Sequence, residues 1–131
     1  MAKLQLVIVT PERTTFDEEV DSVVLPLIDG ESGILPGHSP MIGRLGPGEL
    51  RVIDGGTTTR FYLDGGFAQI EGYSVTVLPG QSIPAGEIDV NAAKTELDQA
   101  QTLPSGNADL AAIKTKAVSQ ARAKIRVAGN A

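Results

Sequence analysis

Residues 30–40 read Gly30-Glu31-Ser32-Gly33-Ile34-Leu35-Pro36-Gly37-His38-Ser39-Pro40. The stretch holds three glycines, two prolines and the single histidine of the chain. Glycine reaches positive φ values and admits close backbone approach, whereas proline fixes φ near about −65° and donates no amide hydrogen bond. We therefore expect one defined loop path. It is either a tight connection between two sheets or a docking edge for another chain.

Short β-strands are predicted before and after this loop. Apolar side chains recur at every second position in residues 3–8 and 73–77, and residues 20–28 and 57–64 are rich in β-branched or aromatic side chains. The recurring apolar positions are Leu4, Leu6, Ile8, Tyr73, Val75 and Val77. This period of two indicates strands with one buried face.

Turn signals separate the later strands. They occur at Asp54-Gly55-Gly56, Asp64-Gly65-Gly66 and Glu71-Gly72, and we expect a hairpin at each of the three. Short strands at this spacing, without a helical pattern between them, favour a sandwich or barrel.

The hydrophobic period changes after Pro84 and predicts two helices. The first begins after Asp89, a favourable N-cap, and stops at Leu103-Pro104. The second follows the turn Pro104-Ser105-Gly106-Asn107 and ends before Gly129. Their apolar stripes consist of Val90, Ala93, Leu97 and Ala100, and of Leu110, Ile113, Ala117, Ala121 and Ile125.

The two helices differ in charge. The first carries Glu96 and Asp98, and the second carries five bases without an intervening acid, namely Lys114, Lys116, Lys124, Arg122 and Arg126. Antiparallel pairing is therefore electrostatically favourable. Alanine supplies four of the nine stripe residues and buries little area, so we expect this helical hairpin to adhere weakly to itself and to the strands, and to detach from the strands.

Composition and charge argue against several classes of protein. The 131 residues include no cysteine, which removes disulfides and Cys-ligated zinc. Residues 1–85 carry a net charge of −6 and residues 86–131 a net charge of +1, so the acidic first part argues against nucleic acid as a partner. The N-terminus is too short for a signal-peptide core, and Val23–Ile28 is far shorter than the roughly 20 residues of a membrane helix. We expect a soluble protein that meets a membrane only through partners.

Candidate catalytic and metal groups are few. His38 has Ser32 and Ser39 nearby, but a nucleophile also needs an orienting carboxylate, so a loop-stabilising or interface histidine stands beside the catalytic alternative. The acids at 17–21 lack the glycine spacing of a calcium loop and favour a solvated strand end. These acids are Asp17, Glu18, Glu19 and Asp21. We expect no catalytic residue, metal site or cofactor. The basic run of the second helix is either a solvated face or a contact for an acidic protein.

Four stretches, in this order and spacing, resemble the epsilon subunit of F-type ATP synthases from bacteria or plastids. They are residues 30–40, Gly46-Pro47-Gly48 with Leu50, Gly65-Gly66-Phe67 and Val75-Thr76-Val77-Leu78. The resemblance covers the whole chain. It implies a ten-stranded β-sandwich in residues 1–85, followed by an antiparallel two-helix hairpin in residues 86–131.

The resemblance implies a rotor part of the central stalk without a catalytic centre of its own. The sandwich would bind the gamma subunit and the polar loops of the c-ring, coupling proton flow to ATP synthesis on other subunits. The hairpin would extend towards the catalytic alpha and beta subunits and inhibit ATP hydrolysis. The implied gamma and c-ring contacts are Glu31, Gly33, Leu35, Pro36, Gly37, His38 and Pro40, and the implied inhibitory residues are Lys114, Lys116, Arg122 and Arg126. The implied location is peripheral, on the cytoplasmic side of the cell inner membrane or the stromal side of the thylakoid.

Some bacterial members of this family bind ATP at the hairpin through an Ile/Leu-Asp-x-x-Arg-Ala motif. The aligned residues here are Ile88-Asp89-Val90-Asn91-Ala92-Ala93, so Ala92 stands where the motif has arginine. Asp89, Arg122 and Arg126 match other positions of that site. Weak nucleotide contact through these three residues is therefore a hypothesis.

Two other classes of protein are compatible with a sandwich. A small β-sandwich hydrolase needs converging polar groups, which the sequence does not indicate. A free-standing β-sandwich module that binds protein or glycan has no need of the helical hairpin, and aromatic residues for sugar stacking are few.

Overall fold

The computed structural model describes residues 2–129, so Met1, Asn130 and Ala131, the ends of the two predicted ranges, lie outside the described part. The strands are β1 (Leu4–Val9), β2 (Thr14–Val20), β3 (Ser22–Leu27), β4 (Gly30–Ile34), β5 (His38–Leu45), β6 (Gly48–Asp54), β7 (Thr57–Leu63), β8 (Gly66–Gly72), β9 (Ser74–Leu78) and β10 (Ser82–Pro84). A single 3₁₀ turn at Ala85–Glu87 leads to α1 (Val90–Gln101) and α2 (Ala108–Gly129). The predicted ten-stranded sandwich followed by a helical hairpin is confirmed.

The strands form two sheets of five. One has the order β10-β7-β6-β3-β4 and the other β5-β8-β9-β1-β2, and the two are linked through the single residue pair Leu27–Leu45. Neighbouring strands are antiparallel except β1 and β9, which run parallel. Four antiparallel pairs are hairpins between consecutive strands, namely β1–β2, β3–β4, β6–β7 and β8–β9, whereas a parallel pair requires a long connection.

The inner faces of the two sheets enclose the main hydrophobic core. The predicted inward positions Leu4, Leu6 and Ile8 are fully buried. Phe16 of β2 meets Phe61 of β7 edge to face across the two sheets, with ring centroids 5.7 Å apart. Such a pair adds a directional contact to the area that it buries.

The turn signals are only partly confirmed. Gly55 and Gly56 have φ values of 59° and 80° and join β6 to β7 in a two-residue hairpin, as expected. The hairpin expected at residues 64–66 is wrong, because β7 pairs with β6 and β10 while β8 pairs with β5 and β9. A Cβ on Gly66 would lie 2.2 Å from the carbonyl oxygen of Leu78, so this glycine permits a close backbone approach between strands.

Two strand predictions also need correction. Residues 20–28 are not one strand, since the chain breaks at Asp21 between β2 and β3, and Ile28 is exposed beyond β3. Tyr73 shares the parity of Val75 but lies in the β8–β9 turn and is exposed. The alternation of side chains assigns a residue to one face of the sheet only within an unbroken strand, so it does not apply to a residue in the adjoining turn.

Both helices begin at polar caps. The Asp89 carboxylate accepts a hydrogen bond from the Ala92 amide at 3.0 Å, which confirms the predicted N-cap of α1. Asn107 caps α2 in the same way through the Leu110 amide at 2.9 Å. Because the first amides of a helix have no partners within the helix, these side chains define where each helix starts.

The helical hairpin is folded against the sandwich. Ala123 and Val127 of α2 pack on Tyr62 and Ala85 in a second, smaller hydrophobic cluster. The single stripe predicted for α2 is confirmed only in part, because its member Ala121 is buried, whereas Ile113 is exposed and the buried Ala123 and Val127 do not belong to it. The last part of α2 is covered both by α1 and by the sandwich, so its apolar positions lie on two faces and do not follow one stripe.

Candidate functional site

Residues 30–40 form two strands joined by a tight turn. Gly30–Ile34 is β4 and β5 begins at His38, so the continuous loop that we expected is wrong, and only Leu35-Pro36-Gly37 connects the strands. The His38 amide donates to the Leu35 carbonyl at 3.2 Å, and Gly37 has φ 85°. Proline followed by a glycine at positive φ is the pattern of a type II turn. The turn carries the chain from one sheet to the other, as the first alternative predicted.

Strand β4 forms an edge of the sandwich. It pairs with β3, and within residues 2–129 no strand pairs with its other side. Ile34 is fully buried and anchors the strand, whereas Leu35 next to it is 65% exposed. The implied contact residues are all exposed or half-buried, and they are Glu31, Gly33, Leu35, Pro36, Gly37, His38 and Pro40. An unpaired edge next to an exposed apolar side chain is suited to docking another chain.

The β8–β9 turn extends this surface. The Gly37 amide donates to the Gly72 carbonyl at 2.9 Å, which holds the two turns side by side. Tyr73 follows Gly72 and is exposed. Tyr73 was not predictable as a surface residue, because its parity with Val75 and Val77 places it with the core positions of β9.

The outer face of the second sheet is apolar in part. Register places Phe67 of β8 beside both Arg44 of β5 and Leu78 of β9, and Ile42 lies two residues from Arg44 on the same face. Ile42, Phe67 and Leu78 are exposed. Grouped exposed apolar side chains on a sheet are typical of protein-binding surfaces. The sequence offered no signal for them, because large apolar residues in strands are usually assigned to the core.

Charged side chains from three strands form a network beside β4. The Arg51 guanidinium of β6 donates to both carboxylate oxygens of Glu31, at 2.8 and 3.2 Å. Glu49 is only 8% exposed and accepts from Arg51 at 3.2 Å and from Arg60 at 2.8 Å. The hydrogen bonds to Glu31 are the main cause that raises the pKa of Arg51. We name Glu31, Arg51, Glu49 and Arg60 the edge network.

His38 is held by its own strand. Its Nδ1 donates to the carbonyl oxygen of Ser39 at 2.7 Å, which orients the half-buried ring. This contact fits the loop-stabilising or interface alternative. Among residues 2–129, no group of three acidic or histidine side chains is placed to hold a metal ion.

The four implied inhibitory residues of α2 divide between two clefts. Lys114, Arg122 and Arg126 line a cleft of about 420 Å³ next to Pro47. Lys116 lines a larger cleft of about 910 Å³ between α2 and the ends of β3, β5 and β8. The structure therefore brings three of the four implied inhibitory residues together and places the fourth apart.

The three residues of the hypothetical nucleotide contact lie at different places in the structure. Asp89 caps α1. Arg122 and Arg126 share the cleft at Pro47, and Arg126 also lines a cleft of about 430 Å³ with Glu31, Glu49 and Arg51. Over the described residues, no helix is both long and apolar enough to cross a bilayer.

Comparison with protein families assigns the strands to a known domain. Residues 3–85 match the family model described as the ATP synthase, Delta/Epsilon chain, beta-sandwich domain. The match covers β1 to β10.

Similar sequences extend over the helices too. The ATP synthase epsilon chain of Rhodopirellula baltica is 45% identical over 123 residues, which span 94% of this chain and 96% of the relative. The ATP synthase epsilon chain of Nitratidesulfovibrio vulgaris (strain DP4) is 37% identical over 130 residues, with 98% and 97% covered. That of Desulforamulus reducens is 44% identical over 102 residues, or 77% of each chain.

Solved structures with the same fold include a chain of the Euglena gracilis mitochondrial ATP synthase, determined as OSCP/F1/c-ring in rotational state 1. It has a TM-score of 0.84 at 23% identity and covers all of this chain and 83% of the other. A chain of the Tetrahymena thermophila mitochondrial ATP synthase central stalk and c-ring has a TM-score of 0.71 at 16% identity, with 96% of each chain covered. At these identities the likeness concerns the fold alone.

Proposed function

This chain belongs to the family of ATP synthase epsilon chains, and from that membership we propose how its parts act in the complex. An epsilon chain is a non-catalytic subunit of the central stalk, and its partners are other subunits of a membrane-associated synthase.

We divide the chain into a binding part, residues 1–85, and a regulatory helical arm, residues 86–131. Among residues 2–129, the main core draws its buried residues from positions 4 to 77 only. The arm is attached through the smaller cluster around Tyr62, Ala123 and Val127. A complete core on one side and a small contact area on the other favour two units that separate.

The sandwich binds the gamma subunit and the polar loops of the c-ring through β4 and the turn that follows it. The contact residues on this surface are Glu31, Gly33, Leu35, Pro36, Gly37, His38 and Pro40. The observation that carries the proposal is that this edge is unpaired in the described residues and ends in the exposed Leu35. Through this contact the subunit couples proton flow through the ring to ATP synthesis on the other subunits.

The arm inhibits ATP hydrolysis when it leaves the sandwich and extends towards the catalytic alpha and beta subunits. Lys114, Lys116, Arg122 and Arg126 then meet acidic segments of those subunits. The small side chain of Ala123 in the cluster that holds α2 favours this release, because it buries little apolar area. We place the subunit on the cytoplasmic side of the cell inner membrane, or on the stromal side of a thylakoid.

Co-purification tests the binding surface. A tagged form of this chain, expressed with gamma and c-ring subunits, is expected to retain both, and Leu35→Asp is expected to reduce that retention. Ile113→Asp is the matched control, since Ile113 is 60% exposed on α2, close to the 65% of Leu35. Equal retention by the two variants, or capture of neither subunit by the unmodified chain, contradicts the proposal.

A further inference from the structure

We propose that Arg51 is a positioning residue for Glu31, holding its carboxylate in the orientation with which it meets the polar loops of the c-ring. This inference rests on the proposed ring contact of Glu31. Nothing in the sequence pattern indicates it, because the two residues are twenty positions apart and belong to strands that are not neighbours.

The geometry requires a bridge across one strand. Glu31 lies opposite Pro26 of β3, and Arg51 lies opposite Val24 of the same strand. The Arg51 side chain therefore reaches past β3 to the edge strand. There it binds both oxygens of Glu31, at 2.8 and 3.2 Å. Two parallel hydrogen bonds from one planar guanidinium fix the plane of a carboxylate as well as its distance.

Arg51 is itself held from the opposite side. Arg51 and Arg60 are directly paired across β6 and β7, which sets two positive charges face to face. Glu49 accepts hydrogen bonds from both and is nearly buried. A carboxylate between two guanidinium groups offsets their repulsion and limits the rotamers that Arg51 can adopt. Arg60 therefore orients Glu49, Glu49 orients Arg51, and Arg51 orients Glu31.

A purely stabilising role explains this arrangement less well. The Glu31 side chain is 53% exposed and that of Arg51 is 27% exposed, and ion pairs at such positions contribute little to folding. An exposed glutamate without a partner adopts many rotamers, whereas a lasting contact with a bound ring loop requires one. All four members of the edge network belong to the sandwich, so the orientation of Glu31 persists when the helical arm leaves.

A double-mutant cycle in the complete synthase tests the role of Arg51. The variants Glu31→Gln, Arg51→Gln and the double variant are assembled with all partner subunits in liposomes, and ions pumped per ATP hydrolysed are measured. Each single variant is expected to lower this ratio about two- to fivefold, and the double variant no further, because Arg51 acts only through Glu31. Arg13→Gln, on the exposed β1–β2 turn, is the control and is expected to leave the ratio unchanged.

Three results overturn the proposal. Losses that multiply in the double variant show that Arg51 acts independently of Glu31. If Glu31→Gln lowers the ratio of ions pumped per ATP and Arg51→Gln does not, Arg51 has no positioning role, while the proposed ring contact of Glu31 still holds. An unchanged ratio with Glu31→Gln removes the ring contact itself. If Arg51→Gln does not fold, Arg51→Lys replaces it in the cycle, since lysine keeps the charge without the fork of donors.

Discussion

Lys124 of α2 lies over the ring of Tyr62 in β7, with its Nζ 5.4 Å from the ring centroid, and the same ammonium group donates to Glu96 of α1 at 2.9 Å. One side chain thus joins both helices to the sandwich. Burial is the main cause that raises the pKa of the Tyr62 hydroxyl. The Lys124 side chain is only 13% exposed. Solvent therefore screens its contacts with Tyr62 and Glu96 less than it screens the charges of the exposed bases of α2, which are Lys116, Arg122 and Arg126.

Replacement of Lys124 should loosen the arm. Lys124→Gln is expected to lower the hydrogen-exchange protection of α2 amides about tenfold, which corresponds to roughly 1.4 kcal/mol, because a cation–π contact and an ion pair are lost together. Lys116→Gln, at an exposed position of the same helix, is the control. Equal protection in both variants would show that Lys124 does not hold the arm.

Truncation after Ala85 should leave a folded sandwich. Within the described part of the chain, the main core contains no residue beyond Val77, so the shortened chain keeps this core and loses the α2 side chains that cover Tyr62. We expect cooperative unfolding at a lower Tm, retained binding of gamma and retained coupled synthesis. Circular dichroism and reconstitution measure these properties, and loss of gamma binding counts against the proposed division.

The basic residues of α2 should act in inhibition and leave assembly intact. Replacing Lys116, Arg122 and Arg126 with alanine is expected to relieve inhibition of ATP hydrolysis, because the extended arm loses its attraction to acidic segments. Lys94→Ala, an exposed base on α1, is the matched control. Unchanged hydrolysis in an assembled complex that the intact arm inhibits would refute this role.

ATP should bind the isolated chain poorly. Ala92 offers no charged donor where the ATP-binding motif has arginine, and the Asp89 carboxylate is already engaged with the Ala92 amide. Titration calorimetry is expected to show Ala92→Arg gaining roughly ten- to a hundredfold in affinity, since each charge-assisted contact contributes about 1.5 to 3 kcal/mol. Micromolar binding by the unmodified chain would show that the arginine is dispensable.

Stability should depend on Asp21 at neutral pH. The Gly55 amide donates to its carboxylate at 2.8 Å, and this bond, with a smaller contribution from Lys3, lowers the pKa of Asp21 from 3.8. A lowered folded-state pKa adds stability that is fully present above pH 3.8 and is lost as the pH falls through the folded-state value. Asp21→Asn is therefore expected to lower the Tm at pH 7, and thermal melts should show this effect shrinking as the pH falls below 3.8 and through the folded-state pKa.

The secondary structure was largely predictable because it depends on near neighbours. The alternation at Leu4, Leu6 and Ile8, the Gly55-Gly56 turn and the Asp89 cap each involve residues within four positions of one another. Such short-range signals state whether a segment is a strand, turn or helix, and which of its faces is apolar. They also carried the resemblance that the family match confirms.

Pairing of the elements needed the tertiary structure. The Asp64-Gly65-Gly66 signal looks like a hairpin but separates strands of different sheets, and Tyr73 leaves the core because its strand starts one residue later. The alternation of apolar and polar side chains along a strand does not depend on which strand it pairs with, so it cannot identify the partner strand.

The sequence by itself determined that short strands precede residue 86, that two helices follow Pro84 and that Asp89 caps the first of them. Only the tertiary structure decided that Arg51 binds Glu31 and that Lys124 meets Tyr62, contacts that join residues 20 and 62 positions apart. The physical reason is the separation along the chain between the residues that interact. Local patterns follow from backbone sterics and side-chain period, whereas these contacts exist only after the packing of two sheets and a helix has brought distant side chains together.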